Sequence, residues 1–439
     1  MRPDVINALI DDALADSVPG RVVWVALSGG LDSSLLLTLA AHACHRHARP
    51  LYALHVNHGL QAAAAEFEVH CRRLCSRLGV PLYVEHVRVE SAGQGVEDAA
   101  RKARYGAFSR RVRTGDTLLL AQHQTDQAET FLLAALRGSG VRGLAAMPAV
   151  RQWGDARLVR PWLAISRARL KAEAEIELLA WMEDPTNQDT RLSRNFLRHM
   201  ILPRLERHWP QAVSSLAQTA KQASEADDLL DELAEMDLQA AGGEPSHLML
   251  ASLLTLSRAR QRLLIRYACQ QLGLATPPRA RMDTLLEQLE ARHDAQPRVA
   301  WEQGEARVWK GRLYLSAPLQ ALPAGWQAGW DGRSRLATPL GTLALVAHEA
   351  PEPSFCEHSL YAPALRETTF EVRLRRGGEV LTMPGRGRRD LKRLLQETEL
   401  PPWERKRLLI VTFQGVCVAV LRPPGEVIAQ AAGWGFRPA

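Results

Sequence analysis

From Val22 to Arg137, short apolar runs alternate with longer segments in which apolar residues recur with a helical period. The apolar runs predict four strands, at Val22–Leu27, Pro50–Asn57, Pro81–Val87 and Thr117–His123. The segments between them predict four helices, at Ser33–His47, Ala63–Leu78, Glu97–Val112 and Asp126–Arg137. Strands that alternate with helices of this length indicate an α/β fold, a doubly wound parallel sheet with helices on its faces. Such sheets bind ligands beyond the carboxyl ends of their strands.

The middle of the chain has a different pattern. A stretch rich in Pro and Arg occupies Arg151–Trp209, and helical periodicity then returns over Pro210–Arg292. Its amphipathic segments are Ala212–Ala241 and Leu248–Leu272. Apolar residues alternate with polar ones over Arg298–Leu315, which predicts a hairpin. We therefore expect a mostly helical middle domain that ends in this hairpin.

The last quarter of the chain begins with Ala317–Thr342, which is rich in Pro, Gly and Ala and predicts a linker. The residues after it predict a small α+β domain of strands and one helix. The expected organisation is an N-terminal α/β domain at 1–210, a mostly helical middle domain at 211–318 and a C-terminal domain at 340–439. Several domains agree with a length of 439 residues, which exceeds what one core usually holds.

Composition and charge narrow the class of protein. Apolar residues make up 46% of the chain, and no apolar run reaches the ~18 residues of a membrane span. The N-terminus lacks the regions of a secretory signal, so we expect a cytoplasmic protein that contacts no membrane. Six cysteines without a CxxC pair favour buried apolar side chains over a metal or redox site. The net charge of +7 favours a polyanionic partner.

The first predicted strand leads directly into a loop suited to phosphate. Two adjacent glycines allow a sharp turn, the serines add hydroxyl donors, and the next helix directs its positive end at the loop. The chain contains no GxxxxGK[ST], which argues against a P-loop kinase or GTPase. The sequence SGGxDS after a buried strand resembles the PP-loop of the ATP-pyrophosphatases. That resemblance implies an ATP site made of Ser28, Gly29, Gly30, Leu31, Asp32 and Ser33.

Asp32 is the one acid of this loop. A carboxylate among groups that collect phosphates repels the ligand unless a divalent cation lies between them. We therefore assign Asp32 to Mg²⁺ binding or to catalysis. The structural alternative is an acid that caps the following helix.

Further polar groups follow the predicted strands and helices. Each has a structural explanation alone: a hydrogen-bonded histidine, a solvated arginine or a capping acid. Arg101 and Arg104 lie three residues apart on one helix face, as a phosphate clamp requires. Because the groups occur in order at one end of the predicted sheet, a binding site is favoured. The segments are His55–Gly59, Glu97–Tyr105, Ala121–Thr130, Arg137–Gly140 and Arg142–Leu144.

Together these segments resemble the tRNA(Ile)-lysidine synthase family from about Val22 to Pro203. Similarity continues in Glu183–Asn187 and in the Gly378–Trp403 pattern, and it is weakest from Ala212 to Ala350. One position departs from the family, which usually has two adjacent acids after the histidine. This chain has Thr125 there, so only Asp126 can carry that role.

The resemblance implies a function. The wobble cytidine in the CAU anticodon of tRNA(Ile) is adenylated at its C2 oxygen by ATP with Mg²⁺. The amine of free L-lysine then displaces AMP to give lysidine. The implied catalytic residues are Asp32, Arg101, His123 and Asp126. Because an amine of pKa about 10.4 is mostly protonated at neutral pH, Asp126 and His123 are candidates to deprotonate it. A homodimer is left open.

Basic residues form two candidate RNA-binding clusters. From Glu371 to Ile410 there are eleven Lys/Arg against six Asp/Glu, a ratio that suits a phosphate backbone. The alternative is an ordinary solvated helix face. The predicted RNA-binding residues are Arg388, Lys392 and Arg393 in this cluster, and Arg104, Arg194 and Arg198 near the predicted active domain.

Three other functions compete with this interpretation. A tRNA thiolation enzyme shares the loop but usually needs paired cysteines, which are lacking here. A small-molecule adenylating ligase does not need the basic C-terminal domain. An RNA-binding protein without enzymatic activity leaves the SGGLDSS loop unexplained.

Overall fold

The computed structural model describes residues 5–59, 64–88, 96–290, 297–349, 369–383 and 387–438. The chain divides into two compact units, Met1–Leu233 and Ala234–Ala439. The three domain boundaries expected from the sequence remain a prediction.

The first unit is built on a six-stranded sheet in the order β3-β2-β1-β4-β6-β5. All its neighbours pair in parallel except β5, which runs antiparallel to β6. The doubly wound parallel sheet predicted from the sequence is therefore confirmed. Its strands are β1 (Val23–Ala26), β2 (Leu51–Asn57), β3 (Leu82–His86), β4 (Thr117–Leu119), β5 (Val150–Trp153) and β6 (Ala156–Val159).

Among the described residues, ten α-helices begin in this unit. The four helices predicted before Arg137 are confirmed within two residues at each end, as α2 to α5. The described helices are α1 (Val5–Ala15), α2 (Leu31–Arg46), α3 (Ala64–Leu78), α4 (Val96–Arg111), α5 (Gln124–Leu136), α6 (Val141–Leu144), α7 (Arg167–Ile176), α8 (Ser193–Phe196), α9 (Leu202–His208) and α10 (Ala212–Ala240).

The core of this unit explains why its strands consist of continuous apolar residues. Val23 and Val25 of β1 pack into the cluster that contains α2, while Trp24 between them packs into the cluster on the opposite face. Successive strand residues point to opposite faces, so a strand covered on both sides is apolar throughout. Burial of each such side chain contributes roughly 1.5–3 kcal/mol. This core holds the carboxyl ends of β1 and β4 in place.

The predicted fourth strand and the Arg151–Trp209 stretch require correction. The strand ends at Leu119, and the residues after it turn towards α5, whose N-terminal cap is His123. The sequence did not predict β5 and β6, because β5 is an exposed edge strand rich in polar residues. After α8 the backbone forms a π-helical turn at Leu197–Ile201.

The second unit contains antiparallel sheets. One has the order β7-β10-β9-β8 and another the order β11-β15-β18-β19-β20. The strands are β7 (His247–Met249), β8 (Arg298–Trp301), β9 (Gly304–Trp309), β10 (Arg312–Ser316), β11 (Gln327–Trp330), β12 (Leu336–Thr338), β13 (Gly341–Leu343), β14 (Leu345–Glu349), β15 (Phe370–Leu374), β16 (Val380–Met383), β17 (Gly387–Asp390), β18 (Leu409–Phe413), β19 (Val416–Arg422), β20 (Glu426–Gln430) and β21 (Trp434–Pro438). The helices are α11 (Leu250–Thr255), α12 (Arg258–Gln271), α13 (Arg279–Glu290), α14 (Leu391–Glu397) and α15 (Pro402–Arg405).

Three predictions for this unit need correction. The single hairpin is a meander of β8, β9 and β10, because two-residue turns follow both β8 and β9. The predicted linker contains β11, which pairs with β15. Its Pro and Gly neighbours hid this strand, although Trp330 is buried in the core of that sheet. The expected single C-terminal helix is two short ones, α14 and α15. Within the described residues, no helix is long and apolar enough to cross a membrane.

Candidate active site

The loop after β1 is held together by the hydroxyl of Ser33. Its Oγ accepts the N–H of Ser28 at 3.1 Å and that of Gly29 at 3.2 Å. It also donates to the carbonyl of Gly30 at 3.1 Å. Two backbone donors that could meet phosphate are thus satisfied within the loop, and these bonds fix the shape of its backbone.

The donors that remain belong to the first turn of α2. Gly30 caps this helix without a side chain, so it leaves the first N–H groups of α2 uncapped. These groups carry the positive end of the helix dipole and suit an anion. Asp32 lies one residue inside the helix, so the alternative that it is the N-terminal cap is wrong.

Gly29 is required by its conformation and its surroundings. Its φ of +90° lies in the left-handed region that disfavours a side chain. A Cβ there would lie 3.1 Å from both Cys71 Sγ and a Phe67 ring carbon. The Gly29 carbonyl accepts the N–H of Met182 at 3.0 Å, which ties the loop to the segment after α7.

Three ionisable side chains meet at the carboxyl ends of β1 and β4. His123 Nε2 lies 3.8 Å from Asp32 Oδ2 and 3.5 Å from Asp126 Oδ2. Burial raises the pKa of Asp32, and the positive charge that His123 carries when protonated opposes that rise. Asp32 Oδ1 is buried and, within the described residues, has no hydrogen-bond partner. The structure therefore brings together Asp32, His123 and Asp126 as the sequence predicted.

The hydrogen bonds of His123 define its tautomer. Its Nδ1 accepts the N–H of Thr125 at 3.2 Å, so Nδ1 carries no proton in the neutral ring. The proton of neutral His123 is then on Nε2, the atom that faces both carboxylates. His123 is accordingly a proton donor at this position, which argues against its role as the base for lysine.

Asp126 belongs to a partly buried ion-pair network. Its Oδ2 accepts the N–H of His123 at 3.0 Å, so it also caps α5, as the structural alternative proposed. Its Oδ1 accepts Arg198 Nη2 at 2.8 Å. Arg198 Nε also donates to Glu129 Oε1 at 2.6 Å, and Glu129 is fully buried. Burial raises the pKa of Glu129 to about 6 despite Arg198.

An open cleft of about 1240 Å³ lies beside these groups. Arg101 and Arg104 are exposed on its wall, and Arg101 lies over the ring of Tyr105 at 4.8 Å. The side chain of Glu97, which opens this motif, lies outside the described residues. Ten of the predicted site residues line the cleft: Ser28, Gly30, Leu31, Asp32, Ser33, Arg101, Arg104, Asp126, Arg194 and Arg198.

Arg194 and Arg198 differ from the expectation of free RNA-binding side chains. Arg198 is held by two carboxylates, and Arg194 Nη1 lies 4.0 Å from Glu129 Oε2. Their contact with RNA stays a prediction. The structure gives them a second role, the neutralisation of acids next to the cleft.

Several cleft residues were not predicted. Arg167 and Lys171 lie one turn apart at the start of α7, and Arg167 is close enough to lower the pKa of Asp32 in opposition to burial. Their i, i+4 spacing after Ser166, which caps α7, is a signal that could have identified them. Glu129, which lies behind the cleft, was also not predicted, although its i, i+3 spacing from Asp126 places both acids on one helix face.

The histidines at the end of β2 lie in the same cleft. His55 Nδ1 bonds to the carbonyl of Leu27 at 2.8 Å, and its Nε2 is buried without a partner in the described part of the chain. Burial lowers the pKa of both His55 and His58, so their neutral forms are favoured. A neutral pair suits contact with an uncharged part of a ligand better than with phosphate.

The acids of the cleft do not form a closed metal cage. Across the described ranges, no group of three or more His, Cys, Asp or Glu side chains is placed to hold a metal. Mg²⁺ commonly binds through one or two carboxylates together with substrate phosphates and water. The unpartnered Oδ1 of Asp32 beside the phosphate loop fits that arrangement.

The predicted basic residues of the second unit lie on its surface. Arg388 on β17 and Lys392 and Arg393 on α14 are all exposed. Asp390 caps α14 by accepting the N–H of Arg393. These positive side chains therefore flank one helix start and are available to solvent.

Comparison with known proteins finds matching family models in each of the two units. A family model described as a PP-loop domain matches residues 4–205. Models described as the TilS substrate binding domain and the TilS substrate C-terminal domain match residues 248–314 and 370–431. A tRNA(Ile)-lysidine synthase of Pseudomonas aeruginosa is 44% identical over 93% of this chain and 91% of its own length. The chain belongs to the tRNA(Ile)-lysidine synthase family.

Other members of this family are similar over comparable lengths. The tRNA(Ile)-lysidine synthase of Pseudomonas putida is 42% identical, and the match covers 93% of each chain. That of Xanthomonas axonopodis pv. citri is also 42% identical, over 94% of this chain and 91% of its own. The family resemblance drawn from the sequence motifs is thus confirmed, and the chain is an enzyme of a ligase-type family that modifies tRNA.

Proposed function

We propose that this chain converts the wobble cytidine of the CAU anticodon in tRNA(Ile) to lysidine. In the first step the C2 oxygen of cytosine attacks the α-phosphorus of ATP, and pyrophosphate leaves. In the second step the amine of free L-lysine attacks C2 and forms the C2–N bond, the C2–O bond breaks, and AMP leaves with that oxygen. The amine loses a proton, so one ATP gives one AMP and one pyrophosphate for each lysine joined.

The ordered loop at the end of β1 is the observation that carries this proposal. Ser33 fixes its backbone, and the uncapped first turn of α2 faces the cleft. A prearranged set of N–H groups stabilises charge on departing pyrophosphate without the cost of reordering. The reaction needs this loop because the oxygen of cytosine is a poor leaving group until AMP is attached to it.

Arginines and Asp32 complete the adenylation site. Arg101 and Arg104 stand on the cleft wall and are suited to the charge on the α-phosphate. Asp32 would hold Mg²⁺ through its unpartnered Oδ1, and the ion would supply positive charge to the phosphates. The other carboxylate oxygen of Asp32 lies 3.8 Å from His123 Nε2.

The acidic network on α5 supports a binding site for the lysine amine. Asp126 lines the cleft, whereas Glu129 lies behind it and shares Arg198 with it. A carboxylate attracts an ammonium group and can accept its proton as the amine attacks. We assign this role to Asp126 and not to His123, because the proton on His123 Nε2 already faces that site.

The cysteines do not support sulfur transfer. All five described cysteines are buried, and Cys356 lies outside the described residues. Burial raises the pKa of Cys71 and Cys75 to about 12, so neither forms a thiolate at neutral pH. A thiolation enzyme on the same loop is therefore disfavoured.

Labelled lysine tests the proposal directly. The purified chain is given ATP, Mg²⁺ and a tRNA with a CAU anticodon, and label is counted in the RNA. A tRNA that differs only by uridine at the wobble position is the matched control. We expect label in the first tRNA alone, with AMP and pyrophosphate formed in equal amounts.

Two results would contradict the proposal. Label in both tRNAs would show that cytosine is not the target. AMP formation that does not depend on RNA would point to a small-molecule ligase.

A further inference from the structure

A buried arginine lies behind the cleft without a carboxylate partner. Arg160 follows β6, and only 2% of it is exposed. Its Nε donates to the side-chain oxygen of Gln122, and its Nη1 donates to the carbonyl of Pro148 at 2.8 Å. The hydroxyl of Tyr105 is close enough to raise the pKa of Arg160 in opposition to burial. Within the described residues, Arg160 forms no ion pair, although a buried charge usually requires one.

The surroundings of Arg160 add positive charge. Arg101 and Arg151 are close enough to act on it electrostatically, and together with burial they lower its pKa. Arg101 also donates to the Tyr105 hydroxyl at 3.4 Å. The arginines around Tyr105 thus concentrate positive charge at one wall of the cleft. Such a wall is stabilised when an anion occupies the cleft beside it.

Arg160 determines which way the Gln122 amide points. An arginine has donors only, so Gln122 must present its oxygen to Arg160. Its NH₂ group therefore points away from Arg160 and, in the described ranges, donates no hydrogen bond. Gln122 and Tyr105 both line the cleft. A buried cation therefore orients an amide donor at the cleft surface.

We propose that Arg160 is a positioning residue that holds the Gln122 amide and Tyr105, and through Tyr105 the guanidinium of Arg101, ready to bind a phosphate group. The phosphate comes either from ATP or from the RNA backbone. This inference rests on the proposed function in one respect, which is that ATP and tRNA are the ligands that enter this cleft. Gln122 would donate its NH₂ to a phosphate oxygen, and Arg160 would not touch the ligand.

Gln122→Glu is the sharpest test, because it gives Arg160 the carboxylate that it lacks. The matched control is Gln152→Glu, which makes the same charge change on exposed β5 outside the cleft. We expect the thermal midpoint of Gln122→Glu to rise while affinity for the phosphate ligand falls about tenfold, since a charge-assisted donor becomes an acceptor. Gln152→Glu should change neither.

Two binding measurements identify the source of the phosphate. One titrates a non-hydrolysable ATP analogue without RNA, and the other titrates tRNA without nucleotide. A loss confined to the analogue assigns the contact to ATP, and a loss confined to tRNA assigns it to the RNA backbone. Neither titration requires lysine incorporation, so failure of the proposed reaction would not be mistaken for failure of this inference.

A second variant separates positioning from stability. Gln122→Met removes the donor and also takes from Arg160 one of its acceptors, so both the midpoint and the affinity should fall. A purely structural role would make affinity follow stability in both variants. The proposal is overturned if Gln122→Glu raises the midpoint and leaves both affinities unchanged.

Discussion

Two regions of the molecule carry many charges: the cleft of the first unit and the basic surface around α14 of the second unit. The two sets of charges differ in how far they are exposed to water. Beside the cleft, Arg198 bonds to both Asp126 and Glu129, and Glu129 is buried. On the basic surface, Arg388 and Lys392 are exposed to water. Charges act strongly on one another where water is excluded and weakly where it is not.

We therefore expect the charges of the cleft to control the rate of the reaction and those of the basic surface to control affinity for RNA. Under the proposed function, a single oxygen atom beside the cleft, Oδ1 of Asp32, decides whether the reaction proceeds. At the basic surface, we expect binding to RNA to depend on the number of positive charges and on salt, so that no one side chain is decisive. The following substitutions test that division, from the largest expected effect to the smallest.

Asp32→Asn should have the largest effect. It keeps the shape of the side chain but removes the negative charge and the second carboxylate oxygen beside the phosphate loop. We expect the rate of AMP formation to fall about 10³-fold. Affinity for tRNA should stay within about twofold, because surface charges dominate it. The readouts are pyrophosphate release and filter binding.

Asp12→Asn, on the exposed face of α1, is the control for this change. Equal loss of activity in both variants, or loss of tRNA binding in Asp32→Asn, would remove the distinction between the two regions.

Glu129→Gln should reduce lysine transfer about 10²-fold at neutral pH, because Arg198 then orients Asp126 less firmly. The pKa of Glu129 is about 6, so the wild-type rate should also fall as the pH drops through 6 and the acid is protonated. The variant should lack this inflection. Single-turnover transfer from pH 5 to 8 checks both expectations.

Stability gives an independent readout of the same residue. The folded pKa of Glu129 is raised above its ordinary value of 4.5, so its contribution to folding is present below pH 4.5 and is lost as the pH rises through about 6. The midpoint of Glu129→Gln relative to wild type should therefore increase over this range. Glu225→Gln, exposed on α10, should show no such trend.

Gly29→Ala should have an intermediate effect. The positive φ and the contacts with Cys71 and Phe67 force the loop to shift. We expect a loss of about 2 kcal/mol in the free energy of unfolding and a weaker site for ATP. Gly138→Ala is the control for strain alone, since it also has a positive φ but has open space around the added carbon. Denaturant unfolding and ATP-analogue titration distinguish the two.

Arg388→Gln should have the smallest effect. One phosphate contact fewer should weaken tRNA binding about fivefold and reduce its salt dependence by about one counterion. The rate at saturating tRNA should not change. Arg279→Gln, an exposed arginine near Asp283, is the control. A large drop in the rate at saturation would mean that the basic surface takes part in chemistry.

Much of the first unit could be predicted from its sequence because its signals are local. The strand and helix periods and the SGGLDSS loop depend on neighbouring residues, and β1 to β3 and α2 to α5 lie where the pattern indicated. The pairing of Glu129 with Arg198 could not be predicted in this way. The two residues are 69 positions apart, and only the folded chain brings them together.

Other parts of the site depend on packing that no motif records. Nothing in the sequence indicated that Ser33 holds the loop or that Arg160 lacks an acid. For β11, Pro and Gly neighbours concealed a strand whose partner, β15, lies more than forty residues later. Local composition indicates a flexible connection there, whereas pairing across the sheet determines the outcome.

The pairing of β11 with β15 has a practical consequence for anyone who expresses the C-terminal part alone. A fragment cut at residue 340 would omit Gln327–Trp330 and bare the hydrogen-bonding edge of β15. Such an edge recruits strands from other molecules, and the product would precipitate or form fibres. A fragment that starts before Trp326 keeps β11, which covers that edge of β15.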